Sequence, residues 1–430
     1  MKQHIKFKNT EIGMIPDEWE VKKVGEIGKV ITGKTPPTAH KEFFYGKYPF
    51  IRIPDMGNSV YIKESELSLS EEGAEYMVNL KLQRDSVMVS CLATIGKTGI
   101  TSKDSFTNQQ INSIIPNKNV NSKWLYYYFN RHADYLESLG GGGSVYTNIS
   151  KSKFEHAKII LPPKDEQDSI SNFLYVFDAK IELNQQMNKT LEAIGQSIFK
   201  HWFIDFEFPN EQGKPYKSSG GEMVDSDMGK IPKGSWIKKL PEVATVIDCL
   251  HTKKPEQMET GNILVQFYNL NEFHSIDISN PYFISDKDYK IWAKNILVSD
   301  KDILFTNAGR QAIAKVPYWF RGGIGRNITA VRATEVDMIY LLQYFLSDYG
   351  LEQISKNIDE GTIFSSLNVK GIRKLKIITP PKDIIKQYSE IVRKLRLKIE
   401  NNELQSRNLS QIRDSLSSKL MSGKIRIPVK

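Results

Sequence analysis

Residues 159–165 read Ile-Ile-Leu-Pro-Pro-Lys-Asp, and residues 377–383, which lie 218 positions later, read Ile-Ile-Thr-Pro-Pro-Lys-Asp. Each copy is followed by a long stretch in which apolar residues recur at helical spacing. A period of half the chain is too long for a solenoid, whose units run to roughly 20–50 residues. The sequence therefore predicts a tandem duplication of one module, and each copy of the module ends in a long helix.

Other landmarks keep nearly the same offset. Ile15-Pro16 with Trp19 matches Ile231-Pro232 with Trp236, and residues 32–36 match residues 251–255. The order of features is thus the same in both halves. We expect a pseudo-symmetric protein, which suits a pseudo-symmetric partner.

The long stretch after each Pro-Pro carries a heptad seam. From Ile170 onwards, seam residues alternate at spacings of four and three, and adding 218 to each number gives the second seam, with Asn184 matched by Asn402. About 38 residues at roughly 1.5 Å each would span on the order of 57 Å, longer than a small domain needs. Two such stripes are expected to pair as an antiparallel coiled coil; the alternative is that each helix packs only on its own domain. The residues predicted to hold the pair are Leu174, Phe177, Ile181, Leu191, Ile198, Val392, Leu395, Ile399, Leu409 and Leu416.

The remainder of each copy is predicted to be rich in β-strands. Short branched runs at 50–53, 87–89 and 303–305 are typical of strands, and residues 123–129 and 339–345 have helical periodicity. The predicted fold class is α+β, with two β-rich globular domains separated by two long paired helices in a pseudo-two-fold arrangement. The predicted boundaries are 1–161 for the first domain, 162–205 for its helix, 206–230 for a linker, 231–379 for the second domain and 380–423 for its helix.

Composition indicates the kind of partner. The 430 residues include 59 Lys and Arg against 50 Asp and Glu, a net charge of +9, which favours a polyanion such as nucleic acid. The two cysteines, Cys91 and Cys249, match no metal or disulfide spacing. The amino terminus lacks the apolar core of a signal peptide, and no apolar run reaches membrane length. We expect a cytoplasmic protein that binds no membrane.

Three segments resemble catalytic motifs, but each lacks a feature that its motif requires. Residues 28–35 match the phosphate-loop pattern, but Pro36 and Pro37 follow where a helix must begin, and the matching segment 251–255 lacks the glycines. A nuclease-like Pro16-Asp17 and Glu20-Val21-Lys22 stand too close together, and Asn280-Pro281-Tyr282 lacks the second proline of the adenine methyltransferase loop. The histidines do not cluster with cysteines or carboxylates along the chain. The sequence predicts no catalytic residue, no metal site and no cofactor bound by this chain.

On these residues the chain resembles the specificity (S) subunits of Type I restriction-modification systems over essentially its whole length. The resemblance rests on the Ile-Pro and Trp opening, the loop at residues 33–36, Pro162-Pro163 with Glu166-Gln167, and the duplicated helix. The second copy departs from the pattern at residues 251–254 and 385–387.

The resemblance implies two target recognition domains that each read half of a bipartite double-stranded DNA site. It also implies docking of two methyltransferase subunits that carry S-adenosylmethionine, and of restriction subunits that use ATP and Mg. The alternative is a standalone DNA-binding protein, such as a regulator or half of another methylation system. A self-sufficient nuclease or methyltransferase is disfavoured because its motifs are missing.

Candidate DNA contacts follow from side-chain chemistry. Arg and Lys bind guanine edges or phosphates, whereas Asn and Gln pair with adenine. In the first domain the candidates are Thr32, Lys34, Thr35, Arg52, Lys97, Asn108, Gln109, Gln110 and Ser144. In the second they are Thr252, Lys253, Lys254, Gln266, Asn269, Arg310, Gln311, Arg326 and Asn327.

Overall fold

The computed structural model describes residues 6–57, 59–92, 94–140, 148–294, 297–308, 311–360 and 365–427. The chain forms two compact units. The first comprises Met1–Leu183 with Ser406–Lys430, and the second comprises Asn184–Gln405. Among the described residues, no helix combines the length and the apolar character that crossing a membrane requires.

The first domain contains twelve described strands and five short helices before the first long helix. The strands are β1 Phe7–Thr10, β2 Gly13–Pro16, β3 Glu20–Lys23, β4 Gly28–Thr32, β5 Phe44–Ile51, β6 Tyr61–Ile62, β7 Leu67–Leu69, β8 Val87–Ser90, β9 Thr98–Thr101, β10 Phe106–Thr107, β11 Ile111–Pro116 and β12 Lys158–Leu161. The helices are α1 Val24–Ile27, α2 Glu71–Tyr76, α3 Ser122–Arg131, α4 Ala133–Leu139 and α5 Lys151–His156, followed by the long α6 Lys164–Phe199.

The second half repeats this order. Its described strands are β13 Met223–Ser226, β14 Gly229–Pro232, β15 Trp236–Lys239, β16 Ala244–Ile247, β17 Asn262–Val265, β18 Phe283–Ile284, β19 Asp302–Thr306, β20 Ile313–Lys315, β21 Gly323–Ile324, β22 Ile328–Ala333, β23 Asp359–Glu360, β24 Ser365–Ser366 and β25 Lys376–Thr379. Its helices are α7 Leu240–Val243, α8 Asp286–Trp292, α9 Met338–Leu346, α10 Asp348–Lys356 and α11 Val369–Lys374, followed by the long α12 Lys382–Met421.

The sheets show how closely the halves correspond. The main sheet of the first domain has the order β4-β11-β8-β9-β6, and that of the second has the order β16-β22-β19-β20. In each domain a separate pair of strands runs parallel, β5 with β10 and β17 with β21. The α+β class and the duplicated architecture predicted from the sequence are confirmed, as are the helices expected at 123–129 and 339–345. The run predicted at 50–53 ends at Ile51, because a 3-10 turn containing Pro54 follows it.

One predicted correspondence is wrong. Trp19 is fully buried and its indole N–H donates to Glu166 at 2.8 Å, whereas Trp236 opens β15 and is 69% exposed. The residue that matches Trp19 is Ser235, since the backbone N–H of each donates to the proline three positions earlier. The start of α12 differs in the same way. Ile384 and Ile385 pack in the second core, at the positions where α6 has the buried polar residues Glu166 and Gln167.

The segment predicted as a linker, 206–230, carries structure of its own. Phe206 and Phe208 are buried in the core of the second unit, and β13 forms a hairpin with β14. The buried aromatic residues fix the segment to the second unit. Its glycine and serine residues therefore lie in turns and do not form a flexible linker.

The long helices run antiparallel to each other. In the second unit, ascending positions on α6 meet descending positions on α12: Asn184 contacts Gln405, Asn188 contacts Asn402, and Glu192 contacts Arg396. The first unit pairs Asp178 with Arg413. Of the predicted seam residues, Leu174, Val392 and Ile399 are buried, and the others are partly buried: Phe177, Ile181, Leu191, Ile198, Leu395, Leu409 and Leu416. The middle of the seam is polar, with Asn184 and Asn402 buried at the seam positions that the heptad pattern gave them, whereas the buried charges of Glu192 and Arg396 lie outside the predicted seam.

Candidate nucleic-acid interface

The loop after β4 lies beside the turn before β11. Thr32 faces Asn112 across the antiparallel strands, so the residues that follow one strand and precede the other meet at the same edge of the sheet. The Gly33 N–H donates to Ile111 at 3.2 Å, and the Lys34 N–H donates to Thr107 at 3.0 Å. A Cβ at Gly33 would lie 2.2 Å from the Thr107 carbonyl oxygen. Glycine is thus required here for the close approach of two backbones.

The parallel strands deliver further side chains to this edge. Ile51 is paired with Thr107, so Arg52 and Asn108 leave β5 and β10 in the same direction. The turn that connects β8 to β9 lies at the same edge, because Ser90, the last residue of β8, faces Ile111. From the end of that turn the Lys97 ammonium donates to the Ile53 carbonyl at 3.0 Å. We call this surface the first edge; its described members are Thr32, Lys34, Thr35, Arg52, Lys97, Asn108, Gln109 and Gln110.

The side chains of the first edge differ in their availability. The Thr35 hydroxyl donates to Gln109 at 2.8 Å, and the Asn108 amide, which is buried, donates to Gln110 at 3.0 Å. Arg52 is held by an ion pair with Glu66. Lys34 and Gln109 are exposed. The first edge therefore offers a cation and amides on a network of mutually supporting polar groups.

The second domain builds an equivalent edge. Ile247 faces Ala330 across β16 and β22, so the segment after β16 leaves beside Arg326 and Asn327. The Cys249 thiol lies against the backbone of Asn327, and burial raises the pKa of that thiol. The parallel pair β17 and β21 brings Gln266 to the same place, where the Gly325 N–H donates to Val265 at 2.7 Å. We call this surface the second edge; its described members are Thr252, Lys253, Lys254, Gln311, Arg326 and Asn327, and Gln266 lies beneath it.

Two predicted contacts of the second domain are used inside the protein. Asn269 is buried, accepts from the Gln266 N–H at 2.8 Å, and donates to the carbonyls of Asp277 and Asn280. The Gln266 amide is also buried and donates to the Leu264 carbonyl at 3.1 Å. These amides hold the turn after β17 because a buried amide without a partner would destabilise it. They support the edge and do not form its surface.

The remaining predicted residues of the second edge face solvent. Thr252, Lys253, Gln311, Arg326 and Asn327 are exposed, and Asn327 adopts a left-handed backbone with a φ of 62°. The Lys254 ammonium stands 3.7 Å from the centre of the Tyr282 ring, and partial burial lowers the pKa of this lysine. Ser144 and Arg310 lie outside the described residues.

Sequence reasoning missed an aromatic pair at the second edge. Phe267 and Tyr268 follow Gln266 in a 3-10 turn and are 45% and 46% exposed. Exposed aromatic faces of this kind stack on bases and sugars as well as on protein. The sequence does contain a sign of these exposed rings: two aromatic residues are adjacent in a segment that is too short to form a strand.

Two interpretations of motifs can be compared with the structure. Residues 28–32 form β4, and residues 33–37 are not helical, so the helix that a phosphate loop needs does not follow Lys34. Contrary to the prediction, one histidine does lie beside a cysteine and a carboxylate: ligand atoms of Asp248, Cys249 and His251 are within 4.8 Å of one another. His251 and Asp248 are already paired at 2.9 Å.

Comparisons with known proteins agree with this duplicated arrangement. A family described as the Type I restriction modification DNA specificity domain matches residues 16–193 and again 232–409. The MjaIX specificity subunit of Methanocaldococcus jannaschii is 30% identical over 98% of this chain and 96% of its own length. The HindI specificity subunit of Haemophilus influenzae is 39% identical over 39% of this chain and 35% of its own length. The S subunit from M. genitalium shares the fold, with a TM-score of 0.54 at 16% identity over 97% of this chain and 99% of that one.

Proposed function

The chain belongs to the Type I restriction-modification DNA specificity family and is a non-catalytic specificity subunit of such a system, and from this premise we propose that its two edges read the two halves of a bipartite DNA site. The observation that carries the proposal is the duplication of the edge itself. Each domain brings a loop, a turn and the ends of a parallel strand pair to one place. Two copies of one reading surface suit two half-sequences on one duplex.

The chemistry of the edges supports contact with DNA. Lys34 on the first edge and Lys253 and Arg326 on the second are exposed cations, and such groups bind phosphates or guanine. Gln109 and Asn327 supply exposed amides for adenine. The net charge of +9 adds the general attraction for a polyanion. The Phe267 and Tyr268 rings would supply apolar contact to bases or sugars on the second edge.

We further propose that the long helices dock two methyltransferase subunits, and through them restriction subunits. On α6, Phe173, Val176, Leu183 and Ile194 are between 41% and 66% exposed, and their spacings of three, seven and eleven place them on one helical face. An exposed apolar stripe on a rod favours binding of another protein. S-adenosylmethionine, ATP and Mg would be bound by these partners and not by this chain.

The test changes the length of the helices in the assembled complex. Inserting one heptad into each helix keeps the seam in register and lengthens the rod by about 10.5 Å, or roughly three base pairs. Methylome sequencing should then show the same two half-sequences with a longer gap. The control inserts a heptad into α6 alone; it breaks the register and should abolish methylation. Unchanged spacing in the double insertion would show that the helices do not set the gap, and methylation at one uninterrupted sequence would refute the bipartite arrangement.

A further inference from the structure

Each unit contains a buried ion pair that joins the two long helices. In the first unit Arg413 of α12 contacts Asp178 of α6, and the side chains are 24% and 10% exposed. In the second unit Arg396 of α12 contacts Glu192 of α6 at 2.6 Å, and the side chains are 2% and 10% exposed. In both pairs the acid lies on α6 and the base on α12.

Further groups hold these charges in place. The Tyr127 hydroxyl donates to Asp178, and burial, with the nearby Asp178 carboxylate, raises the pKa of this tyrosine. Burial lowers the pKa of Arg413, but the carboxylates of Asp178 and Asp414 outweigh this effect and raise it overall. The arrangement in the second unit is similar. There the Gln343 amide donates to Glu192 at 3.2 Å, and Arg396 donates to the carbonyls of Phe273 and His274 at 3.2 and 3.1 Å. Since burial of a charge is costly unless partners surround it, these pairs are built into the packing.

Comparison of equivalent positions in the two long helices shows where their charges differ. Asp178 and Arg396 occupy equivalent positions, 218 residues apart, and carry opposite charges. Two polar positions nearby keep the same residue in both helices. Asn184 matches Asn402, and Glu182 matches Glu400; these glutamates bind Lys63 and Lys315, at 2.6 and 2.7 Å, within their own units. The opposite charges thus occur at a position that contacts the other helix.

We propose that these ion pairs are a charge code that makes α6 pair with α12 and prevents either helix from pairing with its counterpart in a second copy of the chain. If two α12 helices paired in the same register as α6 and α12, Arg396 of one copy would take the place of Asp178. It would then be buried against Arg413 of the other copy. Two α6 helices would bury Glu192 against Asp178. Like charges at a desolvated seam are strongly unfavourable, and polar seam residues are known to select partners in coiled coils. The code is independent of any role in DNA binding.

The experiment refolds the full chain from denaturant at low and at high protein concentration and measures its mass by light scattering. The first variant, Asp178→Arg with Arg413→Asp, keeps both ion pairs within the chain but removes the code. The guanidinium introduced at position 178 would attract Glu192 of a second copy, and the carboxylate introduced at position 413 would attract Arg396. We expect the dimer fraction at high concentration to rise severalfold over that of the wild-type chain.

A second variant supplies the matched control. Adding Glu192→Arg and Arg396→Glu reverses both pairs, restores the code with opposite signs, and should return the chain to a monomer. The proposal is overturned if the singly reversed chain is as monomeric as the wild type, or if the doubly reversed chain dimerises as readily as the singly reversed one. Reversal of the Glu192 and Arg396 pair alone makes the same prediction as the first variant. If neither singly reversed chain refolds, the pairs serve folding alone and the proposal fails.

Discussion

Replacing Gly33 with alanine tests whether the first edge depends on the close approach of its two backbones. The added Cβ would lie 2.2 Å from the Thr107 carbonyl oxygen and 2.3 Å from that of Asn108. Ordinary contact begins near 3.4 Å, so the loop must move by about 1 Å. That movement would also break the 3.0 Å hydrogen bond from the Lys34 N–H to Thr107.

The magnitude follows from these contacts. Overpacking costs about 1–3 kcal/mol, and the lost hydrogen bond adds about 1 kcal/mol. Lower entropy of the unfolded chain returns about 0.4–1 kcal/mol. We expect a net loss of about 1–3 kcal/mol in the free energy of unfolding, measured by urea denaturation. Because Lys34 and Thr35 move with the loop, the assembled complex should lose affinity for one half-sequence and keep the other.

The matched control is Gly25→Ala in the same domain. Its Cβ would meet the Glu155 carbonyl oxygen at 3.4 Å, an ordinary contact, and Gly25 lies in α1, where alanine is the better helix former. Stability and DNA affinity should therefore be unchanged or slightly improved. If Gly33→Ala matches this control in both measurements, the edge does not rest on the close approach.

The long helices could be predicted because a heptad pattern is a local property of the sequence. The charged residues buried between them could not be predicted. A heptad reading assigns Asp178, Glu192 and Arg396 to the surface, since charged residues are buried only when a partner neutralises them. The partners are distant in sequence; Arg396 lies 204 residues from Glu192. Their pairing exists only once the antiparallel register is known.

The composition of the edges was predictable in part. Side-chain chemistry selected Lys34, Gln109 and Arg326, which the fold leaves exposed on an edge. It also selected Asn269, whose side-chain amide instead binds the backbone of the turn after β17. An amide that binds adenine and an amide that binds a carbonyl are the same group, so burial decides between the two roles. Burial here depends on β17 and β21, two short parallel strands far apart in the sequence, which no local pattern indicates.

The remaining predictions concern single side chains. Lys34→Ala should weaken DNA binding by the complex and reduce the slope of log affinity against log salt by about one unit if this lysine binds a phosphate; an unchanged slope would assign it no phosphate contact. Gly195→Ala in α6 should raise the free energy of unfolding by about 0.5–1 kcal/mol, because its Cβ would stand 3.6 Å from the Gln343 amide and glycine weakens a helix; a loss in urea denaturation would mean that the seam is tighter there. Glu403 of α12 gives a pH dependence. Burial raises the pKa of its carboxyl to about 7, and the Asn271 amide donates to it at 3.3 Å. In the unfolded chain a glutamate titrates near 4.3, so between about pH 4.5 and 7 the folded chain binds more protons. Stability should therefore fall as pH rises through this window, by about 2–4 kcal/mol, and stay low above it. Glu403→Gln removes the titration, so its urea denaturation at pH 5 and pH 8 should differ less than that of the wild type; equal pH dependence in the two proteins would show that the carboxyl is ionised and well solvated in the folded chain.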